Sequence, residues 1–318
     1  MSELHKFLFE GLPVRGMLVR LTGSWQEVLQ RRAEQSAWPP EVAGLVGQMC
    51  AAGVLMQSNI KFDGALVLQI AGDGPVKLAV TEVQPNLRFR GTATLVGEVA
   101  GGAGLEALVN VHGQGRCAIT LDPRSRQPGQ QPYQGVVGLN GDRREPLQRL
   151  SEVLEHYMLQ SEQLDTRLVL AADGRTAAGL LIQRLPVEGA GNLGRQQRED
   201  AIGRSEDYRR IAHLAATLSE QELLTLDADT LLRRLFWDEP LRRYEPLTPA
   251  FACRCSTERV RSMLLGLGAD EITGLVAERG EVEVHCEFCG RPYRFDAVDV
   301  GEIFTPPGRQ APGSTTLN

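Results

Sequence analysis

Two cysteine pairs near the C-terminus constrain this chain more than any other feature. In FACRCSTERV, residues 251–260, Cys253 and Cys255 flank a single arginine, and HCEFCG, residues 285–290, supplies Cys286 and Cys289. Two turns that bring such pairs together can offer four sulfurs at the corners of a tetrahedron, at about 2.3 Å from a zinc ion. Four thiolates without a histidine suit zinc or an iron cluster, and a small separate domain favours zinc. His285 adjoins Cys286, but on an alternating strand its side chain points to the other face. The chain has six cysteines in 318 residues. MSELHKFLFE lacks the regions of a secretory leader, and no run approaches the roughly 18 apolar residues of a membrane span, so cytoplasmic residence is expected. In a reducing compartment a permanent disulfide framework is not expected, so the cluster reads as metal ligands, redox thiols or both.

The residues around the pairs predict a small α+β domain. Ser256 or Thr257 can cap a helix over ERVRSMLLGLG. Asp270 can cap another over EITGLVAERG, with Ile272, Leu275 and Val276 as its apolar stripe and Gly280 as its stop. EVEVH alternates as a strand, CEFCG turns, and RPYRFDA returns. The one-residue spacing of the first pair is unusual for a zinc knuckle. Residues i and i+2 lie up to about 7 Å apart when extended, so a Cys253–Cys255 disulfide needs a contracted backbone, and oxidation and metal binding are expected to exclude one another.

Charge narrows the partners. Four thiolates around one divalent ion leave a charge of about −2, and Arg254, Arg259 and Arg291 are near enough in sequence to offset it. Residues 237–306 hold thirteen acidic and eight basic side chains, a net −5, and the whole chain carries −6. Neither offers the basic face that nucleic acid requires. Structural zinc contributes about 10–16 kcal/mol in small peptides at neutral pH, whereas a core of this size supplies only about 3–5 kcal/mol. Loss of the metal is therefore expected to unfold the domain.

Residues 1–186 read as an α+β domain of sheets with helices packed on them. EVAGLVGQMCAAGVLMQSNI is a buried helix enclosing Cys50, and Cys117 falls in a short strand, where it is expected to be inert. Hairpin turns are expected at Gly72-Asp73-Gly74-Pro75 and at Asp173-Gly174. REPLQRLSEVLEHYMLQSEQL places Leu147, Leu150, Val153, Leu154, Tyr157 and Met158 on one stripe. After Pro186 the chain becomes rich in glycine and charge, then regains helix signals: a capping box at Ser219 and Glu222, and an N-cap at Asp227 before an apolar face of Leu231, Leu232, Leu235 and Phe236. Residues 187–236 are thus expected to be a metastable helical linker docked on another surface, residues 237–306 the zinc domain, and residues 307–318 a disordered tail. His112, His156 and His213 have no readable catalytic partner, and HGQGR at 112–116 has too little context for a phosphate loop.

Three functional readings remain open on these residues. One is a redox device whose zinc ligation and oxidation exclude one another, and a second is a constitutive binding module with a purely structural zinc site. A third, an oxidoreductase using Cys286-Glu287-Phe288-Cys289, is disfavoured because the pair does not open a helix after a strand, where a thiol pKa would be lowered.

The CRC pair, the thirty intervening residues and EITGLVAERGEVEVHCEFCGRPYRF resemble the heat-shock protein 33 family, the redox-regulated holdase chaperones of bacteria. FLFEGLPVRG, IKFDG, GDGPVKLAV, YQGVVGL and SEQLDTRL extend the resemblance over most of the chain. The linker stretch NLGRQQREDAIGRSEDYRR departs from it in being richer in arginine. The resemblance implies a non-enzymatic, ATP-independent chaperone. One zinc is bound by Cys253, Cys255, Cys286 and Cys289 in the reduced form. Oxidation then forms Cys253–Cys255 and Cys286–Cys289 disulfides, with zinc release and unfolding of the switch and linker. The implied partners are unfolding client proteins and a second copy in an active homodimer, with no nucleotide, nucleic acid or membrane.

Overall fold

The computed structural model describes residues 1–125, 131–186 and 206–305. Two compact units are present, Met1–Ala252 and a second beginning at Cys253. The first is an α+β body. Its strands are β1 (Glu3–Phe9), β2 (Val14–Leu21), β3 (Gly64–Ala71), β4 (Val76–Val83), β5 (Arg88–Leu95), β6 (Arg116–Pro123), β7 (Tyr133–Gly138), β8 (Thr166–Ala172), β9 (Ala177–Arg184), β10 (Leu241–Arg243) and β11 (Ala250–Phe251). They form a five-stranded sheet in the order β10-β1-β2-β9-β8 and a six-stranded sheet in the order β11-β5-β4-β3-β6-β7. The two expected tight turns join β3 to β4 and β8 to β9. At the second, Asp173 Oδ1 accepts from the amides of Arg175 and Thr176 at 2.7 Å each.

Helix α2 (Pro40–Gln57) lies between the sheets, touching strands of both. Its apolar residues point in every direction because both sides are covered. Helices α1 (Gly23–Ala33), α3 (Leu105–Val109) and α4 (Leu150–Glu162) complete this layer, α4 burying Leu150, Val153, Leu154, Tyr157 and Met158. The close approach of α2 to β5 depends on Gly91: a Cβ there would stand 2.8 Å from Cys50 Sγ and 3.0 Å from Val46 Cγ1. Gly91→Val is accordingly expected to destabilise the first unit by about 1–3 kcal/mol through overpacking. Calorimetry should show its melting temperature lowered by about 2–4 °C for each kcal/mol.

The other face of the five-stranded sheet is covered by α5 (Glu206–Ala216), α6 (Glu220–Thr225) and α7 (Ala228–Phe236). Ile211, Leu223, Leu231, Leu235 and Phe236 pack there against Phe7, Phe9, Val14, Leu18, Leu180 and Ile182 in a second apolar core. Phe236 meets Phe9 edge to face, with ring centroids 5.0 Å apart. Arg20 of β2 donates to the carbonyls of Leu223 and Leu224 at 3.2 and 3.0 Å. Ser219 and Glu222 form the capping box, and Asp227 Oδ1 accepts from the Thr230 amide at 2.9 Å. Residues 187–205 of the linker, and the tail from 306, lie outside the described residues.

Residues 237–252 sit differently from the sequence expectation, which assigned them to the zinc domain. Leu241–Arg243 adds an antiparallel edge strand to β1, and Ala250–Phe251 pairs in parallel with β5. Strands of three and two residues are too short to show a period, so sequence patterning cannot reveal them.

The second unit comprises α8 (Thr257–Leu267), α9 (Ala269–Arg279), the β12 (Glu281–His285) and β13 (Pro292–Asp296) hairpin, and α10 (Ala297–Phe304). Ser256 caps α8 by accepting from the Arg259 amide. Asp270, expected as a cap, lies inside the first turn of α9, whose N-cap is Gly268. Gly280 ends that helix at φ 84°, as its sequence position suggests. Asp296 caps α10 by accepting from Val298 and Asp299 at 2.8 and 2.9 Å. Among the described residues no helix is long and apolar enough to cross a membrane.

Candidate metal centre

The turn between β12 and β13 and the segment preceding α8 bring the four cysteines together. Their sulfurs all lie within 4.8 Å of one another. Cys253 Sγ is 3.5 Å from Cys286 Sγ, and Cys255 Sγ is 3.4 Å from Cys289 Sγ. A tetrahedron with metal–sulfur bonds of about 2.3 Å has edges of about 3.8 Å, so the two closest pairs are within a few tenths of an ångström of a zinc site and the whole set, spread over no more than 4.8 Å, reaches one with shifts of about 1 Å or less. All four cysteines are free thiols, with Cys289 buried and the others partly so. His285, on the alternating strand, pairs at 3.3 Å with Glu283 and is not among the clustered ligands.

The local backbone favours thiolates. The Cys286 amide donates to the Arg291 carbonyl and the Gly290 amide to the Cys286 carbonyl, closing a tight turn with Gly290 at φ 71°. This turn directs the amides of Phe288 and Cys289 onto the Cys286 sulfur and that of Arg291 onto the Cys289 sulfur. Cys253 accepts from the Cys286 thiol and then from the Cys255 amide, which holds it down to about 4. Donation to Cys253 pushes Cys286 up, and burial pushes Cys289 up to about 11. A divalent cation would take the place of the shared protons, so metal uptake releases protons and strengthens as pH rises.

Tyr293 was not singled out by sequence. It lies against Cys255, whose sulfur pushes the phenol up to about 12, and the Arg291 guanidinium stacks 5.5 Å from its ring centroid. Peptide amides and Arg291 therefore supply local positive charge. Cys50 and Cys117 are remote from this chemistry: burial drives both thiols up to about 12. A native, chelator-treated sample titrated with an aromatic disulfide reagent is expected to release four equivalents rapidly. Cys50 and Cys117 should react only after denaturation, for the total of six.

A sequence model described as Hsp33 protein matches residues 2–296. A 33 kDa chaperonin of Chromobacterium violaceum is 43% identical over 303 residues, covering 95% of this chain and 94% of that one. The chain belongs to the Hsp33 family. A 33 kDa chaperonin of Azotobacter vinelandii is 41% identical, over 98% of this chain and 97% of its own. The crystal structure of an Hsp33 homologue from Thermotoga maritima superposes with a TM-score of 0.72 over 95% of this chain and 98% of that one; at 19% identity it supports the fold. Membership of the Hsp33 family makes the chain a chaperone, a protein whose partners are unfolded polypeptides.

Proposed function

We propose that this chain is an ATP-independent holdase switched on by oxidation of Cys253, Cys255, Cys286 and Cys289. The observation that carries this reading is the four-sulfur cluster itself. It ties residues 253–255 to the 286–289 turn, in a unit whose apolar core is eight side chains: Leu264, Ile272, Val276, Val282, Tyr293, Phe295, Val300 and Ile303. A zinc ion bound there would supply four metal–sulfur bonds and stabilise the thiolates without redox chemistry of its own.

Oxidation by a peroxide gives a balanced step. In each pair one thiolate attacks the O–O bond, becoming a sulfenic acid as hydroxide leaves. The second thiolate displaces the other hydroxide and forms the S–S bond. Two peroxides thus take four electrons from four thiolates. The resulting Cys253–Cys255 and Cys286–Cys289 bridges close only local loops. Neither links residues 253–255 to the hairpin, so the unit loses its clamp and keeps only its small core. Unfolding then extends into residues 206–236, and the Phe7, Phe9, Val14, Leu18, Leu180 and Ile182 face of the first unit becomes the surface that holds clients. The resting state belongs to a reducing cytoplasm, and the active form is a homodimer.

A colorimetric zinc indicator tests the switch. Zinc-loaded protein treated with peroxide at mildly raised temperature is expected to release one equivalent. Retention of the metal under those conditions would instead identify a constitutive module with a structural zinc site.

A further inference from the structure

The switch makes no use of a cavity of about 130 Å³ at one edge of the space between the two large sheets. Its walls are apolar, with Met56, Leu66, Ile119, Leu121 and Leu181 among them, while Arg15 lines one part and Glu162 another. Four separated stretches named above, FLFEGLPVRG, IKFDG, YQGVVGL and SEQLDTRL, contribute Arg15, Ile60, Tyr133 and Glu162 to the lining. None of them belongs to the second unit.

Arg15 is poorly matched by its protein partners. Its Nε donates at 3.1 Å to Gln183 Oε1, its Nη2 donates to the same oxygen, and Asn59 Nδ2 donates there too at 2.8 Å. Three donors converge on one neutral carbonyl oxygen that has two lone pairs, and a guanidinium has five N–H groups to satisfy. Lys6 lies close enough for the two cations to repel, and it donates to the carbonyl of Ser58. Among the described residues neither cation has a carboxylate within 4.0 Å. Glu162 does not serve as their counter-ion: its Oε1 accepts from the hydroxyls of Tyr133 and Tyr157 at 3.2 and 3.0 Å. Among the described residues, a half-buried Arg15 without an acid, facing an aliphatic cavity and with the Lys6 charge nearby, is complementary to an anion with a hydrocarbon body.

We propose that this cavity binds a small apolar carboxylate, its acid group on Arg15 and its ring or short chain among Leu66, Ile119, Leu121 and Leu181. The size is right for a single ring, since an aliphatic cavity of about 150 Å³ accepts benzene. A planar guanidinium matches a carboxylate with two parallel hydrogen bonds, whereas an alcohol of the same body supplies one neutral acceptor.

Calorimetric titration of the full-length, reduced, zinc-loaded chain with benzoate and hexanoate, beside benzyl alcohol and hexanol, tests the proposal. At least one acid is expected to bind saturably with Kd below about 1 mM, and its matched alcohol at least about tenfold more weakly. Arg15→Met should reduce the acid to the alcohol's affinity, and Leu121→Trp, which fills the cavity, should abolish both. No saturable binding of either acid, or an alcohol that binds as tightly as its acid, would overturn the proposal. So would acid binding that survives both substitutions. If circular dichroism shows that a variant has not folded, the acid-to-alcohol comparison on the unaltered chain decides.

Discussion

Cys289→Ser is expected to unfold the second unit while the first unit keeps its cooperative melt. Cys289 is the most buried of the four clustered cysteines, at 5% exposure, and its sulfur contacts Cys255 across the cluster. A serine hydroxyl is not ionised at neutral pH and cannot replace a thiolate ligand. The affected quantity is large: structural zinc in peptides contributes about 10–16 kcal/mol, against about 3–5 kcal/mol from a core of this size. Bound zinc should fall from one equivalent to near none. In amide-resolved NMR, the dispersed signals of residues 281–296 should collapse to random-coil positions while those of the first-unit strands stay in place. Persistence of the β12–β13 signals without zinc would show that the eight-residue core suffices, and the clamp argument would fail.

Ile211→Glu is expected to make the chaperone active without oxidation. Ile211 is fully buried between α5 and the five-stranded sheet. Its removal forfeits about 2–3 kcal/mol of apolar burial, and seating a carboxylate there costs several kcal/mol more. Undocking hydrates the carboxylate at once, so residues 206–236 are expected to leave the sheet. The exposed face carries Phe7 and Phe9. Three measurements check this in the reduced, zinc-loaded variant: binding of a hydrophobic dye, tryptic cleavage within residues 206–236, and suppression of aggregation of a thermally unfolding client. Cleavage and dye binding without suppression would place the client surface elsewhere.

How much could be read in advance depends on the physics of each element. The cysteine cluster was legible because ligand chemistry demands one residue type at fixed positions, and those positions survive any rearrangement around them. The Ser219–Glu222 box and the Asp227 cap were legible for the same reason: each is a short-range hydrogen bond between neighbours in sequence. The two-sided character of the five-stranded sheet was not. Strand β2 is buried at six of its eight positions because α2 covers one face and residues 206–236 the other, so period-two alternation is lost. The edge strands at 241–243 and 250–251 were invisible because their length carries no pattern, and the boundary of the zinc unit was displaced with them. Asp270 and Asp296 show the limit of cap reading. Both precede apolar helical residues, but Gly268 at φ 100° starts α9 two residues too early for Asp270 to serve, whereas Asp296 ends a strand in extended backbone and caps α10. The Arg15 cavity required the sheets to be stacked before its four contributing segments could be seen together.

The most direct test of the switch follows metal and activity in one sample. Reduced, zinc-loaded protein is exposed to peroxide while a zinc indicator and the light scattering of an aggregating client are recorded over the same time course, followed by addition of a thiol reductant and zinc. Suppression of scattering is expected to rise in step with zinc release, to reach its full extent at one equivalent, and to be lost when the four thiols are restored. Equal suppression by the reduced and oxidised forms, or zinc release with no gain of suppression, would contradict the switch.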